Sequence, residues 1–224
     1  MAFGTNAPNG FVPTVYRNGT PWNGQLDGNY KIQNGYANNI GIGDFVAINF
    51  TTGGYVVAYY DAQLASATNP ILGVFMGCDY EAPTSTFPIP TPIQKQAWIG
   101  GTQTKNGQDV VAYIMCDFNV LGSMQCTGAL AATTGFTQSM TETFAPVTIP
   151  VTGSVVNLGP NGTSTMSVNL GTAPSPSAAN YQFNVRIRYV DPNPANTAGP
   201  YNNALVQIQY PYAPISSGAA FIPA

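Results

Sequence analysis

Histidine is missing from this 224-residue chain, and charge is scarce: six Lys and Arg and nine Asp and Glu make up 7% of the residues. A soluble domain ordinarily carries roughly 25% charged residues. Without histidine there is no Ser-His-Asp or Cys-His arrangement and no His-ligated zinc or haem. A net charge of −3 with six dispersed cations cannot neutralise a run of phosphates, so no nucleic-acid partner is expected. No apolar stretch approaches the ~18 residues of a membrane span, so no membrane partner is expected either. The opening Met-Ala-Phe-Gly-Thr-Asn lacks the basic and apolar regions of a signal peptide. The chain reads as one made and folded in a cytoplasm. Three cysteines, Cys78, Cys116 and Cys126, are odd in number and match no zinc spacing. They are expected to be reduced and mostly buried thiols. With no imidazole, the composition also predicts little response to pH between about 6 and 8.

What the chain has in quantity is glycine (24), proline (19) and aromatic residues (12%). Six Asn-Gly pairs begin at Asn9, Asn18, Asn23, Asn34, Asn106 and Asn161, and Asp27-Gly28 is a seventh Asx-Gly. Such pairs supply the positive φ angles of tight turns. No apolar 3.6-residue period lasts three turns. The nearest helical candidate, Ala129 to Met140, is interrupted by Gly135 and three threonines.

Strand patterns dominate, and they come in pairs. Asp44–Phe50 and Tyr55–Tyr60 flank Thr51-Thr52-Gly53-Gly54, a hairpin connection. Ile71–Cys78 is a near-continuous apolar run, as expected of a strand covered on both faces. Val110–Cys116 and Val120–Cys126, joined by Asp117-Phe118-Asn119, read as a second hairpin, and Ser154–Leu158 with Thr163–Leu170 as a third. Gln182–Tyr189 alternates most clearly: Phe183, Val185, Ile187 and Tyr189 take one face, and Gln182, Asn184, Arg186 and Arg188 the other. It is followed by Ala204–Tyr210. Ten or more short strands at this spacing predict an all-β fold, an antiparallel β-sandwich or β-barrel.

Residues 1–25 are punctuated by Pro8, Pro13 and Pro21 yet hold Phe11, Val12, Tyr16 and Trp22, and the stretch 211–224 is uncharged with Phe221 and Ile222 near its end. Both read as extended N- and C-terminal arms around a β-rich body at 26–210. Their apolar side chains must be buried, on the chain's own body or on a neighbour. Arg186 and Arg188, on one strand face, either pair with carboxylates across a subunit boundary or form a solvated face. These eight residues are the candidate contact residues.

Other constellations are weaker. Asp79 and Glu81 could hold a divalent cation if further oxygens converged; the plainer reading is a solvated strand end. Aromatics at Tyr55, Tyr59, Tyr60, Phe87, Trp98, Tyr210 and Tyr212 allow a carbohydrate- or receptor-binding surface, but core packing and subunit contact are commoner uses. No catalytic constellation, cofactor site or metal site emerges.

Several strings occur in a telling order. Asn9-Gly10-Phe11-Val12-Pro13 and Asn18-Gly19-Thr20-Pro21-Trp22-Asn23-Gly24-Gln25 are followed by Gly35-Tyr36-Ala37-Asn38-Asn39-Ile40 and Gly43-Asp44. Then come Leu72-Gly73-Val74-Phe75-Met76-Gly77-Cys78, Val111-Ala112-Tyr113 and a closing apolar strand, Ala204–Ile208. As a set they resemble the capsid decoration, or cement, proteins of tailed bacteriophages, over about residues 9–126 and more loosely 182–209. The resemblance implies a small β-rich structural protein on the capsid exterior of the virion. It would bind the phage major capsid protein, self-associate as a homotrimer, and have no catalytic or cofactor residues. Residues 137–180 depart from the pattern and read as an inserted hairpin or projection.

Overall fold

Alternating side chains and Asx-Gly turns make strands the main element of this fold. The computed structural model describes residues 8–59, 71–81, 93–152, 155–171, 185–192 and 200–208. In chain order the strands begin with β1 (Val12–Tyr16), β2 (Asp27–Ile32), β3 (Ile40–Gly41), β4 (Phe45–Asn49), β5 (Tyr55–Ala58) and β6 (Gly73–Tyr80). There follow β7 (Ile93–Lys95), β8 (Ala97–Trp98), β9 (Val110–Met115), β10 (Val120–Thr127) and one short helix, α1 (Ala129–Thr133). The remainder comprises β11 (Phe144–Ala145), β12 (Val147–Thr148), β13 (Val151–Thr152), β14 (Val155–Val156), β15 (Ser167–Asn169), β16 (Val185–Val190) and β17 (Asn203–Ile208). The fold is all-β, as expected.

Two sheets account for most of it. The first has the order β2-β9-β6-β4-β5, and β5 lies beside β2, so the sheet nearly closes into a barrel. At the closing seam the Ala58 amide donates to the Tyr36 hydroxyl at 2.9 Å. The second sheet has the order β11-β16-β17-β10-β15-β12, with β1 also paired to β10. Ile32, Val46, Val56, Ala58, Phe75, Cys78, Trp98, Val110, Ala112 and Ile114 fill the barrel. Phe45, Ala47, Val57, Tyr59, Val74 and Met115 point the other way. They pack with Val120, Met124, Cys126, Val185, Ile187, Ala204, Val206 and Ile208 of the second sheet.

Strands β4, β5 and β6 are therefore apolar on both faces, which is why the run from Ile71 lacks polar alternation. The β4–β5 and β16–β17 hairpin pairings match the sequence reading. The glycine of each of the six Asn-Gly pairs has positive φ; Gly28 instead lies within β2.

Three expectations need correction. Val110–Cys116 and Val120–Cys126 do not form a hairpin: β9 pairs with β2 and β6, whereas β10 pairs with β1, β15 and β17. Both strands have their edges occupied, so Cys116–Asn119 forms a corner that carries the chain between the two layers. Beyond residue 154, β14 pairs with β13, and β15 runs antiparallel to β12 and parallel to β10. Only an isolated bridge, Leu158 to Ser164, closes the Gly159–Gly162 turn. Nor does the described part of 137–180 project. Phe144, Ala145, Val156, Met166, Val168 and Leu170 are all buried. The helical candidate at 129–140 shortens to α1 and a 3-10 turn at Gln138–Met140.

The N-terminal segment is docked on its own body. β1 pairs antiparallel with β10, and the chain then folds back over its outer edge. Tyr16 N–H donates to the Thr20 carbonyl at 2.8 Å, and Trp22 N–H to that of Thr14 at 3.1 Å. Phe11 enters the core at 1% exposure. Its ring lies 5.9 Å from that of Phe45 and against Gly122, where an added Cβ would come within 2.4 Å of it. Gly122→Ala should therefore cost about 1–3 kcal/mol through overpacking. Urea unfolding would read that loss, and pairing the substitution with Phe11→Leu should recover part of it.

Candidate interaction surface

The face of the second sheet turned away from the barrel is set by strand parity. The inward positions of β10 and β17 are the apolar residues named above. The alternate positions are Leu121, Ser123 and Gln125 on β10 and Asn203, Leu205 and Gln207 on β17, all buried. Arg186 and Arg188 of β16 lie on this same face. A bulge between Ile187 and Tyr189 shifts the register. Tyr189, expected on the face of Val185 and Ile187, thus stands on the other and is 53% exposed.

Polar groups on this face are tied into two networks. Arg186 Nη2 and Arg188 Nη1 both reach Glu142 Oε2, at 2.5 and 2.6 Å. Arg188 also donates to Gln207 Oε1 from Nε and Nη2, at 2.9 and 2.6 Å. Gln207 Nε2 in turn donates to the Phe118 carbonyl at 2.7 Å, anchoring the corner between the layers. Arg186 sits 5.5 Å from the centroid of the Phe144 ring, its pairing partner on β11. In the second network the Ser123 hydroxyl donates to Asp191 Oδ2, and Asn203 Nδ2 donates to Ser123 Oγ at 3.1 Å.

Glu142 holds the first network together. Its φ of +63° lies in the left-handed region, at a cost of order 1 kcal/mol for a residue with a side chain. Its N–H is held by the Ile187 carbonyl at 2.8 Å. The Arg188 hydrogen bond, together with the charges of Arg188, Arg186 and Arg17, holds its carboxyl below the usual range. All three arginines of the chain thus act on one carboxylate. Beside them an open recess of about 520 Å³ is lined by Tyr16, Arg17, Asn18, Asp117 and Asn119.

The candidate contact residues separate accordingly. Phe11 is a core residue and presents nothing to a neighbour. Val12 is 37% exposed on β1. Tyr16 and Trp22 are half-buried against the core, and the Tyr16 hydroxyl donates to Asn23 Oδ1 at 2.8 Å. Arg186 and Arg188 both meet Glu142 of the same chain, and Arg186 and Glu142 stay partly exposed. Phe221 and Ile222 lie outside the described residues.

Glu142 itself left no sequence signal, standing 46 residues from Arg188. Gln207 and Asn203 did leave one, as the polar parity of β17. Of the aromatics noted above, Tyr59 and Trp98 are buried, and the Tyr55 hydroxyl donates to Asp109 at 2.9 Å. Tyr60, Phe87, Tyr210 and Tyr212 lie outside the described residues.

The remaining ionisable groups are mostly committed. Asp79 accepts from the Tyr113 hydroxyl at 2.6 Å, and Glu81 pairs with Lys105 at 2.7 Å. Among the described residues no group of three or more His, Cys, Asp and Glu could hold a metal ion. The three cysteines are free thiols, and burial pushes Cys78 and Cys126 up to about 12. Asp44 is fully buried, and desolvation raises its carboxyl to about 7. The lack of histidine therefore does not leave the neutral range empty, contrary to the inference from composition. Tertiary burial moved a carboxyl into it.

No family model matches this chain, and no curated protein or solved structure is detectably similar to it.

Removing the Arg188 guanidinium takes both of its hydrogen bonds from Gln207 Oε1 and leaves Glu142 with Arg186. Arg188→Ala should thus cost about 2 kcal/mol. Glu142→Gln should cost less, about 0.5–1 kcal/mol, because that carboxylate is 46% exposed and screened. A carboxyl with a depressed pKa contributes stability above its unfolded value and loses it as pH falls through the folded one. Urea midpoints of wild type and Glu142→Gln should therefore differ at neutral pH and converge in strong acid.

Proposed function

We propose that this protein is a structural component of a phage virion, a decoration protein that binds the outside of the head and reinforces the major capsid lattice. The observation that carries this reading is the outward face of the second sheet. It exposes Val12 and Tyr189 on either side of buried Ser123 and Leu205, and its charged groups are already paired within the chain. Such a face suits a protein partner. Burying apolar area there contributes roughly 25 cal/mol per Å² before ordering costs. Few free charges need to be desolvated, and salt has little to screen.

The ordered strings that resemble the decoration family add a second support. They occupy the positions on which this architecture rests: Phe11 in the core, Gly43-Asp44 at the junction of the sheets, and Leu72–Cys78 along the doubly buried strand. A trimer on local threefold positions is the assembly this reading favours, since cyclic closure satisfies identical contacts. A glycan-binding role has less behind it, because buried Tyr59 and Trp98 offer no sugar platform.

Deleting Met1–Gly24, the obvious test of an arm, would also pull Phe11 from the core. Surface substitutions avoid that. Val12→Asp and Tyr189→Asp should leave the unfolding free energy within about 0.5 kcal/mol of wild type yet sharply reduce the copies of protein that co-purify with heads. Wild-type decoration by both variants would sink the proposal.

A further inference from the structure

Three chain segments meet at Asp44. The turn Gly41–Asp44 leads into β4, Thr163–Met166 leads into β15, and residues 9–11 lie across both. Phe11 N–H donates to the Gly43 carbonyl at 3.0 Å, Gly10 N–H to the Met166 carbonyl at 3.1 Å, and Ser164 N–H to the Ile42 carbonyl at 2.8 Å. Gly10 has φ +73°, and a Cβ on it would lie 2.3 Å from Ser164 Cβ and 2.5 Å from Ser164 Oγ. The N-terminal segment therefore sits directly on Ser164.

Asp44 lies beneath that seat with no exposed surface. Its Oδ2 accepts the Gly41 N–H at 2.6 Å, and the Ser164 side chain hydrogen-bonds its carboxyl. Its Oδ1 is buried with no partner, as is Asn9 Oδ1 on the segment above. The residues hydrogen-bonded to the carboxyl are Gly41 and Ser164, and those bonded to the backbone of its turn include Phe11, Phe75 and Ser164. None is ionisable, and no neighbouring charge acts on Asp44. An ionised carboxylate here has two donors, no counter-ion and one oxygen that only water could satisfy. Admitting water through β4 or β6 would open the barrel wall. Lifting residues 9–11 breaks two backbone hydrogen bonds and withdraws Phe11 from the core, but leaves the barrel wall closed.

We propose that seating of residues 9–11 is coupled to one proton on Asp44: the segment docks over the neutral acid, and its opening hydrates the carboxyl and delivers that proton to water. Asp44 is then a latch for the N-terminal segment, independent of any capsid role. The direction follows from linkage. The docked state keeps the proton to about pH 7, whereas a hydrated aspartate loses it near 3.9. Docking is thus strongest in acid. It weakens by about tenfold per pH unit as pH rises towards 7, then levels off once the docked state has also ionised.

Amide hydrogen exchange on the full chain between pH 4.5 and 8.5, corrected for intrinsic rates, reads this directly. Protection of Gly10 and Phe11 should fall about tenfold per unit up to pH 7 and then plateau, while that of Val46 and Ile114 stays level. Asp44→Asn, which keeps the shape but cannot ionise, should remove the pH dependence. Flat protection in wild type, an equal fall in Asp44→Asn, or a parallel fall in the barrel amides would each overturn the proposal. Should Asp44→Asn not fold, the wild-type Asp44 carboxyl carbon and Gly10 amide decide it by NMR. A shared midpoint near pH 7 supports the latch, and separate midpoints, or none in that range, refute it.

Discussion

Everything in this fold depends on one wall of three strands that buries both of its faces. β4, β5 and β6 send Val46, Val56, Ala58, Phe75 and Cys78 into the barrel, and Phe45, Ala47, Val57 and Val74 into the space between the sheets. Neither core exists without it. Closing the barrel without a full ladder between β5 and β2 is tolerable because the second sheet covers the same wall from outside. The bulge at Phe75/Gly77 keeps Phe75 and Cys78 facing the barrel while β6 bends around it.

Scarce charge has structural consequences of its own. A surface without many ion pairs must be ordered largely by backbone turns, and the Asn-Gly turns do this, while neutral Ser123, Asn203 and Gln207 make the buried polar contacts. The few charges present are concentrated. Three arginines act on Glu142, which accepts left-handed backbone geometry to meet two of them, and Lys105 pairs with Glu81. Asp44 is the opposite case, a carboxyl without any counter-charge, whose pKa desolvation raises to about 7. One sequence thus treats two acidic residues in opposite ways, because one has guanidinium partners at the surface and the other has only hydroxyl and amide donors inside.

The N-terminal segment links these features. Read as sequence, its prolines and aromatics left open whether it packed on its own chain or on another. Phe11 decides for its own chain, filling the space over Gly122 beside Phe45. Val12, one residue on, remains exposed. Adjacent residues of an extended strand point in opposite directions, so a single segment can both complete a core and present a contact.

Strand identity, both-face burial of the Ile71 run, the β16–β17 pairing and the positive φ of the Asn-Gly turns were all written in local sequence, because side-chain alternation and turn stereochemistry act over a few residues. Which strands became neighbours was not. The three-residue link at Asp117–Asn119 suits a hairpin equally well, and only competition for strand edges sends β9 and β10 into different sheets. The outward turn of Tyr189, the meeting of Glu142 with Arg186 and Arg188, and the burial that raises the Asp44 carboxyl likewise belong to tertiary structure. Each depends on groups distant in sequence and on the exclusion of water, and neither is encoded in any short run of residues.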